Sequence, residues 1–313
     1  MRWQRIVLPT PFPVGPVNLY LILDEPLTLI DAGPLAEESR QALRGAFRSL
    51  GLRMGRLRRI LLTHSHPDHC GLARRLQEES GAAVYMHPRE GKKMQVEYQQ
   101  EPSWLLASGL PPELVKEVER SRQWISRFLE RPDALEPLAE GEELPGDGYR
   151  LRVLHTPGHT GGHVCFLEPE QGLLWCGDTL LEHITPNPVV EPCASRAGGR
   201  TPSLSLYLET LTRLAGLELK QALPGHGRAI TRHRERIAEM LDHHRQRSRE
   251  ILHLVRKAER PLTPWQVAAR LYPDVNGANI FLATSEALAH LDVLAGRGLV
   301  REIASDRTVY FSA

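Results

Sequence analysis

Three histidines and an aspartate fall within six residues of the stretch THSHPDHCG, Thr63 to Gly71. Neutral imidazole and carboxylate are ligands suited to zinc, iron or manganese. His64 and His66 stand two apart on a segment leaving an apolar run, RRILLTH, so both can address one ion. Pro67 then turns the chain, and Asp68 and His69 can address a second. Three further stretches carry ligand-type residues beside glycine: HTPGHTGGH (His155 to His163), CGDT (with Asp178) and LPGHG (with His226). Each reads as the mouth of a strand. Glycine allows the tight backbone that brings such side chains together.

The elements that position these residues read as alternating strands and helices. VNLYLIL and LTLID are β-rich runs joined by DEP, a predicted hairpin. EESRQALRGAFRSLGL has helical spacing and stops at Gly51. RRILLTH reads as a buried strand, GLARRLQEESG as a helix with a glycine stop, and AAVYMH as the next strand. The histidine cluster therefore falls in a strand-to-helix loop, where ligand sites of layered α/β folds collect. From about 89 to 137 the texture becomes helical, with Leu114, Val118, Ile125, Phe128 and Leu129 as its apolar face. Strands return with YRLRVLHT, HVCFLEP and GLLWCGD, then a helix, SLSLYLETLTRLAGL. Beyond about 230 a long charged helix, RHRERIAEMLDHHRQRSREILHLVRKAE, leads to two more helices and a hairpin around Ser305 and Asp306. This tail is mildly basic and resembles a winged helix. Its RHRERIAEMLDHHRQR portion reads as a solvated face.

Composition narrows the class. The chain has 313 residues, 41 % of them hydrophobic, and a net charge of +1. A packed core is expected, and no global field favours nucleic acid. The first residues lack the apolar run of a signal peptide, and nothing is long enough to span a bilayer, so a cytoplasmic protein is expected. Cys70, Cys165, Cys176 and Cys193 form no CxxC pair and are expected as reduced thiols.

HSHPDH, PGHT, GDT and PGHG, in that order and after the opening NLYLILDEPLTLIDAG, resemble the metallo-β-lactamase superfamily over roughly residues 15–230. The resemblance implies an α/β fold: a four-layer αββα sandwich over 1–230 with a helical insertion at about 89–137. Residues 231–313 would then be a helical linker and a small winged-helix domain. It further implies one metal on His64, His66 and His159, a second on Asp68, His69 and His226, and Asp178 bridging them. Asp68 and Asp178 would also take catalytic roles. Two divalent ions are expected, zinc before manganese or iron(II), with water as nucleophile and no serine or cysteine needed. His155 and His163 are read as supporting residues and Cys70 as a small buried hydrophobe. Asp31 is read as an orienter, and His87 and His183 as surface or substrate residues.

Departures select within the superfamily. True β-lactamases of the family lack this bridging aspartate, and flavodiiron members carry Glu where His66 stands. The large inserted domain of many nucleic-acid-processing members is missing. The loop after CGDTLLEHITPNP differs from that of glyoxalase II. Persulfide dioxygenases keep most of these ligands but use one iron, so the ligand set leaves a mononuclear-iron persulfide dioxygenase as a further reading. GPVNLYLI, CGDTLL, ITPN and the tail resemble β-lactamase-like proteins that include a mitochondrial single-strand endoribonuclease and polyketide thioesterases. The expected substrate is a small-molecule ester or thioester, with single-stranded RNA as the alternative. Arg196, Arg200 and Arg228 would line a phosphate groove in the second case. A homodimer is compatible with either, and a ligand-sensing DNA-binding regulator is the reading of another class.

Overall fold

The structure is a computed structural model that describes residues 1–96, 103–192, 199–305 and 308–313. One sheet orders β1 (Trp3–Leu8), β2 (Val17–Ile22), β3 (Thr28–Ile30), β4 (Arg59–Leu61), β5 (Ala83–Met86) and β6 (Glu136–Pro137) in sequence. Its first three strands are antiparallel and the run from β3 to β6 is parallel. The second sheet contains β7 (Glu143–Gly146), β8 (Tyr149–His155), β9 (Val164–Glu168), β10 (Leu173–Gly177) and β11 (Gln221–Pro224), in reverse spatial order. Only its β10–β11 pair is parallel. The predicted hairpin is β2–β3. The strand β1 and the short β6 and β7 were not legible in the sequence.

Side-chain alternation explains the layers. Tyr20, Ile22, Ile30 and Leu61 of the first sheet meet Val153, Phe166, Trp175 and Leu223 of the second. Their strand neighbours Leu19, Leu21, Leu29 and Ile60 point the other way, onto Leu43 and Phe47 of α1 (Glu37–Ser49) and Leu76. Successive strand residues face opposite sides, so a strand covered on both faces is buried throughout, as β2 is, with Asn18 as its one polar exception, bonded to the Pro224 and Gly227 carbonyls. On the far side Cys165, Leu167, Leu174 and Cys176 pack against Tyr207, Leu211 and Leu214. The result is two sheets between two helical layers. After β4, where the sequence reads one helix, the chain makes two: α2 (Pro67–Cys70), then α3 (Ala73–Ser80), ended by Gly81 at φ 71°.

The insertion holds α4 (Pro88–Val96), α5 (Ser103–Ala107) and α6 (Pro112–Ser126). Leu114 and Val118 of the predicted face pack inward, but Phe128 and Leu129 lie past the end of α6. Then follow α7 (Ser203–Ala215), α8 (His233–Lys257), α9 (Pro264–Leu271), α10 (Ala278–Gly296) and the hairpin β12 (Arg301–Ser305) with β13 (Thr308–Ser312). Thr263 and Gln266 close a capping box at the start of α9. Packing is continuous across the boundary drawn near residue 230. Ile237 and Met240 at the start of α8 join the core under the second sheet. Ile251, Val255, Leu288 and Leu291 share one cluster with Trp104, Leu105 and Val118 of the insertion and with Val190 and Leu204. The face of α8 read as solvated is only partly so, since His233 and His244 are buried. Among the described residues no helix is long and apolar enough to cross a membrane.

Candidate metal centre

The four motifs converge where β4, β8, β10 and β11 end. His64 and His66 leave β4, His159 sits in the turn after β8, Asp178 follows β10 and His226 follows β11. Asp68 and His69 lie on α2. All seven predicted residues are thus brought together. The ligand atoms of His64, His66 and His159 lie within 4.8 Å of one another, and so do those of Asp68, His69 and His226. Asp178 stands between the groups: Oδ1 is 3.4 Å from His69 Nε2, and Oδ2 is 3.7 Å from His226 Nε2 and 3.8 Å from His159 Nε2.

Hydrogen bonds fix the tautomers, which follow from the chemistry of their partners. His69 Nδ1 donates to Asp31 Oδ2 at 2.8 Å, His159 Nδ1 to the Asn187 carbonyl at 3.0 Å and His226 Nδ1 to the Pro16 carbonyl at 2.8 Å. Each partner can only accept, so in the neutral ring each Nε2 keeps a lone pair aimed into the cluster. His64 follows the same rule. Thr63 gives its hydroxyl proton to Asp31 and accepts from His64 Nδ1 at 3.0 Å. His64 Nε2 then lies 3.0 Å from His66 Nδ1, which lies 3.1 Å from His159 Nε2. His69 Nε2, His226 Nε2 and Asp178 Oδ1 are buried without a hydrogen-bond partner. Buried lone pairs crowded in this way are costly unless a cation satisfies them. The donor set therefore fits divalent metal.

The titration pattern has the same origin. Burial, and then its partner His159, push His66 down to about 3. Burial and the neighbouring rings hold His64 well below the usual range. For His69 burial works in the same direction, but Asp178, Asp31 and Asp68 outweigh it and carry the ring well above the ordinary value. Asp178 stays ionised well below the carboxylate range despite burial, because His69 and His226 face it.

Glycines make the approach possible. A Cβ on Gly225 would come within 2.5 Å of Asp178 Oδ1 and of His69 Cε1. Gly177, at φ 45°, would bring one within 2.7 Å of Thr63 Oγ1. His163 falls outside the ligand groups. Its Nε2 accepts from the Asp178 backbone N–H at 3.2 Å, and Nδ1 donates to the Thr156 and Thr179 hydroxyls at 3.0 Å each. It thus carries the backbone of Asp178. His155 stacks on His87, with centroids 4.5 Å apart, and bonds the Gly161 carbonyl at 3.0 Å. His183 is exposed. Cys70, Cys165 and Cys176 are buried thiols, and Cys193 lies outside the described residues.

Two of the three arginines read as a phosphate groove are paired with carboxylates. Arg200 is bound by Asp292 (2.5 Å) and Glu302 (2.7 Å), and Arg228 by Glu182 (2.6 Å). Arg196 lies outside the described residues. The sequence reading missed Glu90 and Glu191, two buried carboxylates near the centre. The only signal for Glu90 was its place just beyond a strand adjoining β4.

Residues 12–226 match the family description "Metallo-beta-lactamase superfamily". A Bacillus subtilis (strain 168) protein named a probable metallo-hydrolase is 31 % identical, over 98 % of this chain and 96 % of its own. A crystal structure of a metallo-beta-lactamase family protein from Thermus thermophilus superposes with a TM-score of 0.84 at 32 % identity, covering 99 % of this chain and 98 % of that one. A hydroxyacylglutathione hydrolase of Haemophilus influenzae is 32 % identical over 53 % of this chain and 67 % of its own length. A family match over most of the chain, joined to a histidine and aspartate centre of this kind, places the protein in the metallo-beta-lactamase superfamily as a metal-dependent hydrolase.

Proposed function

We propose that the chain hydrolyses an ester or thioester of a small molecule at a two-ion centre. His64, His66 and His159 hold one ion, Asp68, His69 and His226 the other, and Asp178 lies between them. Zinc is the proposed ion, with manganese and iron(II) as alternatives. The observation that carries the reading is the set of lone pairs turned inward by Asp31, Asn187 and Pro16. When bound, such ions supply Lewis-acid polarisation of the substrate oxygen and activation of water. The chain supplies the rest. Asp178 keeps a charged carboxylate between the groups, and His163 anchors its backbone. Asp68 Oδ2, 3.3 Å from His226 Nε2, is the acceptor proposed to orient the attacking water. The thiols fit no nucleophilic role, since burial pushes Cys165 up to about 11 and Cys176 well above its usual range.

For the substrate, the pairing of Arg200 and Arg228 with carboxylates favours an acyl group over a phosphodiester, which needs cations along its path. The likeness to a protein named a hydroxyacylglutathione hydrolase supports the same class. We read the tail as a winged helix that serves as a packing module, because it shares its core with the insertion.

The test is turnover of acyl-glutathione and acyl-pantetheine thioesters and simple esters by the zinc- or manganese-loaded protein. Labelled single-stranded RNA is run alongside, with Asp178→Ala as control. Thioester or ester cleavage that falls at least 100-fold in the variant supports the reading. RNA cleavage lost in the variant, without acyl turnover, would replace it with a nuclease.

A further inference from the structure

Glu90 stands on α4, just past β5, and is wholly buried. Its Oε2 accepts from the Ser65 backbone N–H at 3.0 Å and the Ser65 hydroxyl at 2.7 Å. Its Oε1 accepts from the Thr160 hydroxyl at 3.0 Å and the Gly162 N–H at 2.7 Å. Lys93 Nζ, one helical turn on, reaches Glu90 Oε2 at 2.8 Å and Glu191 Oε1 at 2.6 Å. Glu191 Oε2 then accepts from the Gly161 N–H at 3.1 Å. Five donors thus converge on the two oxygens of one carboxylate, a task that only an acceptor-only group can perform. The backbone must come close for this: a Cβ on Gly162 would sit 2.7 Å from Glu90 Oε1.

The addresses of those donors matter. Ser65 lies between His64 and His66, and Thr160 follows His159. Glu90 therefore grips the residue next to each histidine of one group, joining two loops that arise from different sheets. The other group has other supports, Asp31 on His69 and the Pro16 carbonyl on His226. We propose that Glu90 is a positioning residue for the three-histidine site: it sets the spacing between the His64–His66 segment and the His159 turn, and so fixes the affinity of that site while leaving the Asp68–His69–His226 site unchanged. The proposal rests on the ligand assignment given under Proposed function.

The test is calorimetric titration of Zn2+ into chelator-stripped protein, with the d–d absorption of Co2+ as a second readout. Wild type is expected to take two equivalents, one of which His159→Ala abolishes. Glu90→Gln keeps the shape but sets an amide N–H₂ against the donors at one end. That same equivalent should weaken 10- to 100-fold, the usual loss when the support of a ligand is removed. The Co2+ band of that site should shift while the other site's band stays. Ser65→Ala, which removes one neutral contact and strands no charge, should weaken the same equivalent about fivefold. It decides the matter if Glu90→Gln does not fold. Two equivalents of wild-type affinity and spectrum in the variants would overturn the proposal alone. Equal weakening of both equivalents would make Glu90 a general support of the fold and also overturn it. A wild type that binds no metal would remove the ligand assignment and this proposal together.

Discussion

Asp31→Asn separates the orientation of a ligand from the stability of the fold. Asp31 lies just past β3, is 2 % exposed and has φ 60°. Its Oδ1 accepts from the Thr63 N–H at 2.9 Å, and its Oδ2 from His69 Nδ1 at 2.8 Å. Asparagine tolerates the left-handed backbone and has the same shape, so strain drops out of the comparison. An amide, however, offers its oxygen to only one of those two N–H donors. If the oxygen stays on Thr63, the amide N–H₂ faces His69, which keeps a contact only by moving its proton to Nε2. That atom then points a hydrogen at Asp178, 3.4 Å away, and is lost as a ligand. If the oxygen turns to His69 instead, the buried Thr63 N–H is orphaned, at about 1–3 kcal/mol. The first outcome weakens one metal equivalent 10- to 100-fold, or ~1.4–2.8 kcal/mol. The second lowers the melting temperature of the metal-free protein by several degrees. Calorimetric Zn2+ titration and thermal melting followed by circular dichroism read the two directly. Unchanged affinity of both equivalents together with an unchanged melting temperature would refute the reasoning. Asp31→Ala should show both losses, since it also forces alanine into the left-handed region at ~1–2 kcal/mol.

Two further outcomes are expected. His244 and His290 meet across α8 and α10, with His244 Nδ1 3.4 Å from His290 Nε2. Burial, then the nearby His243 and Arg247, push His244 down to about 4, and burial holds His290 well below its usual range. Both folded values lie below that of the unfolded chain, so the unfolded chain takes up protons first. This stability is fully present above about pH 6.5 and is lost as pH falls toward 4. For His244 alone the loss between pH 7 and 5 is about 2 kcal/mol. Urea denaturation at the two pH values should show a smaller drop for His244→Gln than for wild type, and equal drops would contradict the burial argument. Removing residues from 231 onward should give an insoluble or metal-free fragment. It strips the partners of Trp104, Leu105 and Val118 and breaks the bonds Asn187 Nδ2 to the Leu282 carbonyl (2.9 Å) and Val190 N–H to Ser285 Oγ (2.7 Å). Asn187 is the residue whose carbonyl orients His159. A soluble 1–230 fragment with two metal equivalents would show the tail to be independent.

The residues of the centre were legible because their chemistry is written locally. His64, His66, Asp68 and His69 share one loop, and glycine flanks the turns that carry His159, Asp178 and His226. The β-rich, largely apolar run of β2 and the spacing of Leu43 and Phe47 in α1 are likewise local, so the strand and helix that bear them could be read in advance. β6 and β7 could not: EP and ELPG carry glutamate, proline and glycine instead of an apolar β-rich run, and become strands only by pairing with a neighbour. The sequence by itself thus determined the ligand-type residues, their order and the layered α/β class. Only the tertiary structure decided which histidine nitrogens face inward, because each tautomer depends on an acceptor far along the chain: Asp31 for His69, Asn187 for His159, Pro16 for His226. It also decided that Arg200 and Arg228 are bound by carboxylates, that Glu90 joins two loops, and that the tail and the insertion share one core. Those pairings join residues tens to more than two hundred positions apart, and no periodicity or spacing along a chain encodes a partner at that distance.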